Sequence, residues 1–340
     1  MSGVNFNPDL CATCETVDCL MQCQYVQVRD LDDARGERKK INAGDRSRVL
    51  DECMTCYACQ EYCPNGNNPF FFLVERQEAL GILPAPVPIL KEQLKMMAPR
   101  GRITRTAVNA PLIDMCAFPM LTGCIRGKLF EGASVITGTD LFCNIMWLHF
   151  ARNSVIRERV PEVIEKIRVN FLEGSGITEL ICFHDECYGT YTSVAGAYGF
   201  DIPFRPVHLF DYIDRRLDEL ADRIKPLNIK IAYQRPCSNR LIPETDAVLD
   251  RIFQKIGAER VPRTYDRRNA LCCGGVPRAH QRDDEADALV EKNIADMVAS
   301  GAAYCVFNCP FCMATLAEAV AEKGLTPVLV SDLVQMALGE

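Results

Sequence analysis

Nineteen cysteines stand in a chain of 340 residues, and their spacing constrains the fold more than any other feature. Two groups are compact: Cys11, Cys14, Cys19 and Cys23, then Cys53, Cys56, Cys59 and Cys63 followed by Pro64. A third is dispersed over the C-terminal third: Cys237, the adjacent pair Cys272 and Cys273 followed by Gly274 and Gly275, and Cys309 with Cys312. A weaker copy of that third group lies upstream at Cys116, Cys143, His184 and Cys187. A disulfide framework suits small exported domains. This chain is long, its cysteine count is odd, and its start, MSGVNFNPDL, has no charged-then-apolar export segment. Metal ligation in a reducing, cytoplasmic setting is the better account. Cys124, Cys182 and Cys305 fall outside the scheme and are expected to be buried thiols.

Composition narrows the partners. Lys plus Arg number 38 against 45 Asp plus Glu, a net charge of −7, which argues against nucleic acid as the main partner. No apolar run is long enough to cross a bilayer, the best candidate being residues 69–74, so no membrane insertion is expected.

The run Cys53-x2-Cys56-x2-Cys59-x3-Cys63-Pro64 matches the bacterial ferredoxin pattern for a 4Fe-4S cluster, in which the fourth cysteine of a run serves the other cluster. On that crossing rule Cys53, Cys56, Cys59 and Cys23 hold one cluster, and Cys11, Cys14, Cys19 and Cys63 hold the other. The first run departs from the pattern: four residues separate Cys14 from Cys19, and Gln24 stands where proline is usual. Structural zinc, the competing account, pairs two x2 knuckles and has no use for a third cysteine and a Cys-Pro. Between the runs, Arg29 to Arg48 mixes Arg35, Arg38, Lys39 and Lys40 with Asp30, Asp32, Asp33 and Glu37, and is expected to be a solvated insert, the alternative being a docking patch for an acidic donor. The proline-spaced segment from Leu83 to Pro88 marks a linker.

The rest of the chain can be laid on itself. In the second copy a strand from Ile229 to Tyr233 leads to Cys237. A helix carrying Val248, Leu249, Ile252, Phe253 and Ile256 stops at Gly257, and a later one carrying Val290, Ile294, Met297 and Val298 stops at Gly301. The strand Tyr304 to Phe307 then delivers Cys309 and Cys312. In the first copy, residues from Val108 to Met115 reach Cys116, and Val135 to Thr137 precede Cys143. A helix expected to be kinked or divided at Pro161 ends near Gly174, and the strand Thr178 to Phe183 delivers His184 and Cys187. The expected fold is α/β: an α-helical ferredoxin-like module carrying two 4Fe-4S clusters over residues 1–104, a degenerate half over 105–226, and a second half over 227–340. Both halves have largely parallel sheets, with ligands at the carboxyl ends of strands.

The arrangement Cys…Cys-Cys-Gly…Cys-x2-Cys resembles the CCG domain of heterodisulfide reductase catalytic subunits and their relatives. Those relatives include iron–sulfur subunits of glycolate, lactate and glycerol-3-phosphate oxidation, thiol:fumarate reduction and sulfite-reduction complexes. The resemblance implies a noncubane 4Fe-4S cluster held by Cys237, Cys272, Cys273, Cys309 and Cys312, with Gly274 and Gly275 letting the backbone approach it. A cubane or a four-cysteine zinc site would leave one of these thiols spare. The resemblance further implies electron flow from the two ferredoxin-type clusters to the noncubane one, for disulfide or thiol redox chemistry. Its partners would be a flavoprotein or other redox subunit of a larger complex and a small-molecule or protein disulfide. The alternative is a relay subunit with no substrate of its own. No Gly-x-Gly-x2-Gly loop is present to hold flavin or nicotinamide in this chain.

The first copy departs from the family, with Asn144 in place of the second cysteine of the pair and His184 in place of the first of the x2 pair. Cys116, Cys143, His184 and Cys187 suit a zinc ion, a His-ligated iron–sulfur cluster, or a vestigial half with neither. Among His184, Asp185, Glu186 and His208, one could protonate a departing thiolate, and His184 and His208 are best matched to neutral pH. The sequence suggests no role for Trp147, His149 or His280.

Overall fold

Two four-stranded sheets of the same strand order organise the computed structural model, which describes residues 3–340. In the first, β1 (Leu112–Asp114), β2 (Ser134–Ile136), β3 (Glu179–Cys182) and β4 (Arg205–His208) run in the order 2-1-3-4. In the second, β5 (Ile229–Gln234), β6 (Ala258–Arg260), β7 (Tyr304–Phe307) and β8 (Thr326–Leu329) repeat it as 6-5-7-8. Every pairing is parallel. Parallel strands need crossovers, and helices such as Asn153–Ile167 and Asp283–Ala299 supply them. One apolar core runs through both halves, joining Ile113, Ile181 and Val207 to Ile231, Val306 and Val328.

Up to Met96 the described chain is helical and contains no strand. The stretch expected to be a solvated insert is instead a packed helix, Leu31–Ala43. Asp30 caps it by accepting from the Asp33 amide, and Gly44 ends it at φ +83°. Ala34, Glu37 and Ile41 repeat at helical spacing and are buried, the two apolar residues with Val17, Leu20 and Leu50 and the Glu37 carboxylate accepting from Ser47 and Lys40, while most of the other charges face outward. The linker segment is packed as well. Ala85 and Leu90 join Phe70 and Phe71 in the core that covers the first half, and a helix begins at Val87.

Three local expectations give way. The helix Asn153–Ile167 runs unbroken through Pro161, since its apolar face, with Ile156, Val160, Val163 and Ile164, is fixed against the core; a π-helical turn, Arg168–Leu172, follows it. Val298 is exposed, because the buried face of its helix passes through Ala286, Asn293, Ile294 and Met297. β6 is a strand that three residues of unremarkable composition did not announce. No helix among the described residues is long and apolar enough to cross a membrane.

Candidate metal centres

All nineteen cysteines are free thiols. Cys11, Cys14, Cys19 and Cys63 line one cavity together with Pro64 and Arg38. Short helices place them: Cys11 within Pro8–Ala12, Cys19 within Asp18–Met21, and Cys63 as the cap of Ala58–Tyr62. Burial, reinforced by Cys63, Cys11 and Cys14, pushes the Cys19 thiol up to about 12. Cys23, Cys53, Cys56 and Cys59 form a neighbouring group. Cys53 is pushed up to about 12 by burial and then by Cys56, with Cys23 adding to it, while Cys59 is raised by burial, then by Cys53, Cys56, Cys19 and Cys23. The loop carrying Cys53 and Cys56 is tightened by left-handed residues at Thr55 (φ +51°) and Tyr57 (φ +63°). Peptide N–H groups aim at sulfur: Thr55 at Cys53 Sγ (3.3 Å), Val26 at Cys23 Sγ (3.3 Å) and Asn67 at Cys63 Sγ (3.4 Å). Such donors favour anionic sulfur.

In the second half, loops after three strands bring the five dispersed cysteines together. Cys237 opens the turn after β5, Cys272 and Cys273 follow β6, and Cys309 caps the helix Pro310–Glu322, which carries Cys312. The thiols make a chain of neighbours. Cys272 and Cys312 both lie against Cys273, and Cys309 lies against Cys312. The neighbouring Cys272 and Cys312 thiols, and after them the Gly275 amide, hold Cys273 well below the usual thiol range despite burial. Cys237 is pushed well up by burial and then by Cys273, Cys309 and Glu186. Gly274 adopts φ +88°, and a Cβ there would come within 2.7 Å of Val290 Cγ2; a Cβ on Gly275 would lie 3.5 Å from Cys273 Sγ. Only glycine lets the chain bend this closely around the thiols.

The first half differs. Cys116, Cys143 and Cys187 place their sulfurs mutually within 4.8 Å, fully buried, and no other such group gathers as tightly among the described residues. A tetrahedral ion with metal–sulfur bonds of about 2.3 Å requires sulfur separations near ~3.8 Å, so this triangle suits a single ion. The Cys143 amide donates to Cys116 Sγ (3.2 Å). Burial opposes ionisation of Cys143, but the Cys116 and Cys187 thiols and His184 outweigh it and hold Cys143 well below the thiol range. His184 Nε2 stands 3.6 Å from Cys187 Sγ and outside the triangle, while its Nδ1 has no partner. Asn144 sits at φ +65° and accepts from Trp147 Nε1 (3.0 Å), which gives the buried indole a function.

Several residues without a sequence signal occupy the seams. His149 joins two cysteine loops, its Nδ1 2.7 Å from Thr55 O and its Nε2 3.9 Å from Cys237 Sγ. Burial and then His280 push it down to about 3. His280 Nε2 donates to His149 O (2.7 Å). Tyr25 OH accepts from the Cys272 amide (3.1 Å) and also neighbours Cys56. Asp185 accepts from Asn239 (2.7 Å) and Asn308 (2.6 Å), tying the Cys187 segment to those of Cys237 and Cys309. His208 faces Asp185 at 3.6 Å, and its Nδ1 accepts from the Phe210 amide. Glu186 is buried with Oε2 unpartnered, and burial, then Cys143, Asp185 and Cys273, keep its carboxyl well above the usual range. Cys124, Cys182 and Cys305 are buried singly.

These features fit an iron–sulfur group on donor chemistry: reduced thiols, amides pointing at sulfur, and a glycine cradle. A scan against protein families matches residues 231–317 to the CCG cysteine-rich domain, a span covering β5 to β7 and all five dispersed cysteines. No curated protein matches the chain. A CCG domain together with the cysteine groups points to an iron–sulfur redox protein.

Proposed function

We propose that this chain is an iron–sulfur oxidoreductase resembling heterodisulfide reductase. Two 4Fe-4S clusters would be held by Cys11, Cys14, Cys19 and Cys63 and by Cys23, Cys53, Cys56 and Cys59. A noncubane cluster would be held by Cys237, Cys272, Cys273, Cys309 and Cys312, and a single ion by Cys116, Cys143 and Cys187. Bound there, these clusters supply one-electron redox capacity and an iron able to meet an external sulfur. The observation that carries the reading is serial proximity: Cys59 lies within electrostatic reach of Cys19, Cys56 within reach of Cys237, and Tyr25, which accepts from the Cys272 amide, within reach of Cys56.

The chain's own residues do the rest. Reducing a disulfide consumes two electrons and two protons and yields two thiols. The Glu186 carboxyl, beside Cys237 and Cys309, is better placed to hold one of those protons than His208, whose unpartnered Nε2 faces Asp185 at 3.6 Å. Asp185 fixes the two loops across which a substrate sulfur would lie. Phe311, exposed between Cys309 and Cys312 and packed edge-on against Phe118, forms the rim.

Anaerobic protein should carry about twelve irons per chain, four for each of three clusters. Adding a thiol to the oxidised protein should generate a new paramagnetic signal. A second reading, the relay subunit between a flavoprotein and another redox partner, is favoured by the burial of Cys272, Cys273, Cys309 and Cys312. It predicts full iron with no change of spectrum on adding thiol. Zinc in place of iron would contradict both readings.

A further inference from the structure

One buried guanidinium reaches segments carrying cysteines of every proposed cluster. Arg240 follows Cys237 by three residues, and its side chain is 4% exposed. Its Nη1 pairs with Glu61 (2.9 Å), which lies between Cys59 and Cys63, and donates to Tyr62 OH (3.2 Å). Its Nη2 donates to Ala270 O (2.8 Å), two residues before Cys272, and reaches Gln24 Oε1 (3.4 Å), next to Cys23. Gln24, the residue standing where proline is usual, also donates to Asn269 O (2.9 Å). The second guanidinium on Glu61 is Arg235, 2% exposed, at 3.0 Å. Two cations therefore share one carboxylate, and the other partners of Arg235, Asn239 Oδ1 and Arg267 O, are neutral. Within the set of Arg240, Arg235 and Glu61 one positive charge is left over, and the next carboxylate, Asp185, is reached only through Asn239. An unbalanced buried charge is strongly unfavourable unless an anion faces it. The Cys56 sulfur is the foremost of the groups that favour the charged form of Arg240, ahead of Tyr62 and Glu61.

We propose that Arg240, with Arg235 and Glu61, sets the redox potential of the cluster bound by Cys23, Cys53, Cys56 and Cys59, favouring its reduced form. This rests on the iron–sulfur reading above. Reduction adds one electron and makes or breaks no bond, and net charge and burial around a cluster govern its potential. A surplus positive charge in a poorly screened interior stabilises the added electron. The same seam holds Tyr25 and Cys272, so the electron is stored beside the five-thiol site. Arg240 is a positioning residue, and it touches no substrate.

The test is a potentiometric titration of the iron-loaded, full-length protein followed by electron paramagnetic resonance. Arg240→Gln should lower the reduced-to-oxidised ratio of this cluster about tenfold at a fixed ambient potential, or about 59 mV for a one-electron couple. Glu61→Gln removes the compensating carboxylate and should move the ratio the opposite way, while Arg240→Lys should stay within about twofold of the wild type. The cluster at Cys11, Cys14, Cys19 and Cys63, reached through the Tyr62 segment, should move in the same direction but by less. Shifts of the same sign in both glutamine variants, or no shift in either at wild-type iron content, overturn the proposal. If Arg240→Gln loses iron, Glu61→Gln and Arg240→Lys decide: absence of an upward shift in the former, or a downward shift in the latter, overturns it. A wild-type protein without iron overturns the underlying reading instead.

Discussion

The two sheets share one strand order, yet their thiols gather in different shapes. In the second half Cys272, Cys273, Cys312 and Cys309 form an open chain of neighbours with Cys237 alongside. In the first, Cys116, Cys143 and Cys187 close into a triangle. The backbone makes the difference. Where the second half has Cys273 and then Gly274 at φ +88°, the first has Asn144 at φ +65°, whose carbonyl oxygen is taken by Trp147. An open chain of thiols suits several metal atoms with a shared sulfur, and a closed triangle suits one. One strand order thus carries an open set of thiols and a closed one, which part at the residue that follows one cysteine.

Substitutions on the two sides should separate them most sharply in metal content. Cys273→Ala should remove about four irons per chain and leave about eight. Cys143→Ala should leave iron unchanged and release one other metal ion, which elemental analysis of the two variants checks. The next effect is smaller. Asn144→Cys restores the missing thiol but not the geometry, so iron content should stay constant. Stability should fall by about 1–3 kcal/mol, because the Trp147 N–H loses its acceptor. A gain of iron in this variant would break the comparison, since identity and not backbone shape would then decide the site.

Gly274→Ala probes the same backbone from the other side. A Cβ at φ +88°, pressed on Val290, should cost about 1–3 kcal/mol in chemical denaturation and reduce iron retention at the five-thiol site. A pH effect comes last. His280 is pushed down to about 4, mainly by burial, with the His149 carbonyl opposing and Arg282 adding to the shift. A depressed histidine contributes stability that is present above its ordinary value near 6.5 and lost as pH falls toward 4. Between about pH 6.5 and pH 5, the wild type should therefore lose about 1–2 kcal/mol more stability than His280→Gln, measured by denaturant midpoint.

Much of this was legible in the order of residues, because strands and their cysteines alternate along the chain. The spacing of Cys237, Cys272, Cys273, Cys309 and Cys312 after short apolar runs pointed to loops at strand ends, and Gly257 and Gly301 marked helix stops that adopt positive φ. The seam was not legible. Glu61 and Arg240 lie far apart in the chain, and nothing local distinguishes a buried Arg–Glu pair from two solvated charges. The Arg29 to Arg48 stretch misled for the same reason, since its charges hide the spacing of Ala34 and Ile41. His149 and His280 carry no motif, and they matter only because the fold lays them between Thr55 and Cys237. His208 was conspicuous at a strand end, but its Nδ1 is taken by the Phe210 amide and its Nε2 faces Asp185 at 3.6 Å, away from the thiols.

Anomalous diffraction from crystals of the anaerobic protein, recorded at the iron and zinc edges, tests the contrast between the halves most directly. The account predicts several resolved irons along the five thiols of the second half and a single scatterer inside the Cys116, Cys143 and Cys187 triangle. One lone scatterer at both places, or several irons at both, would contradict it.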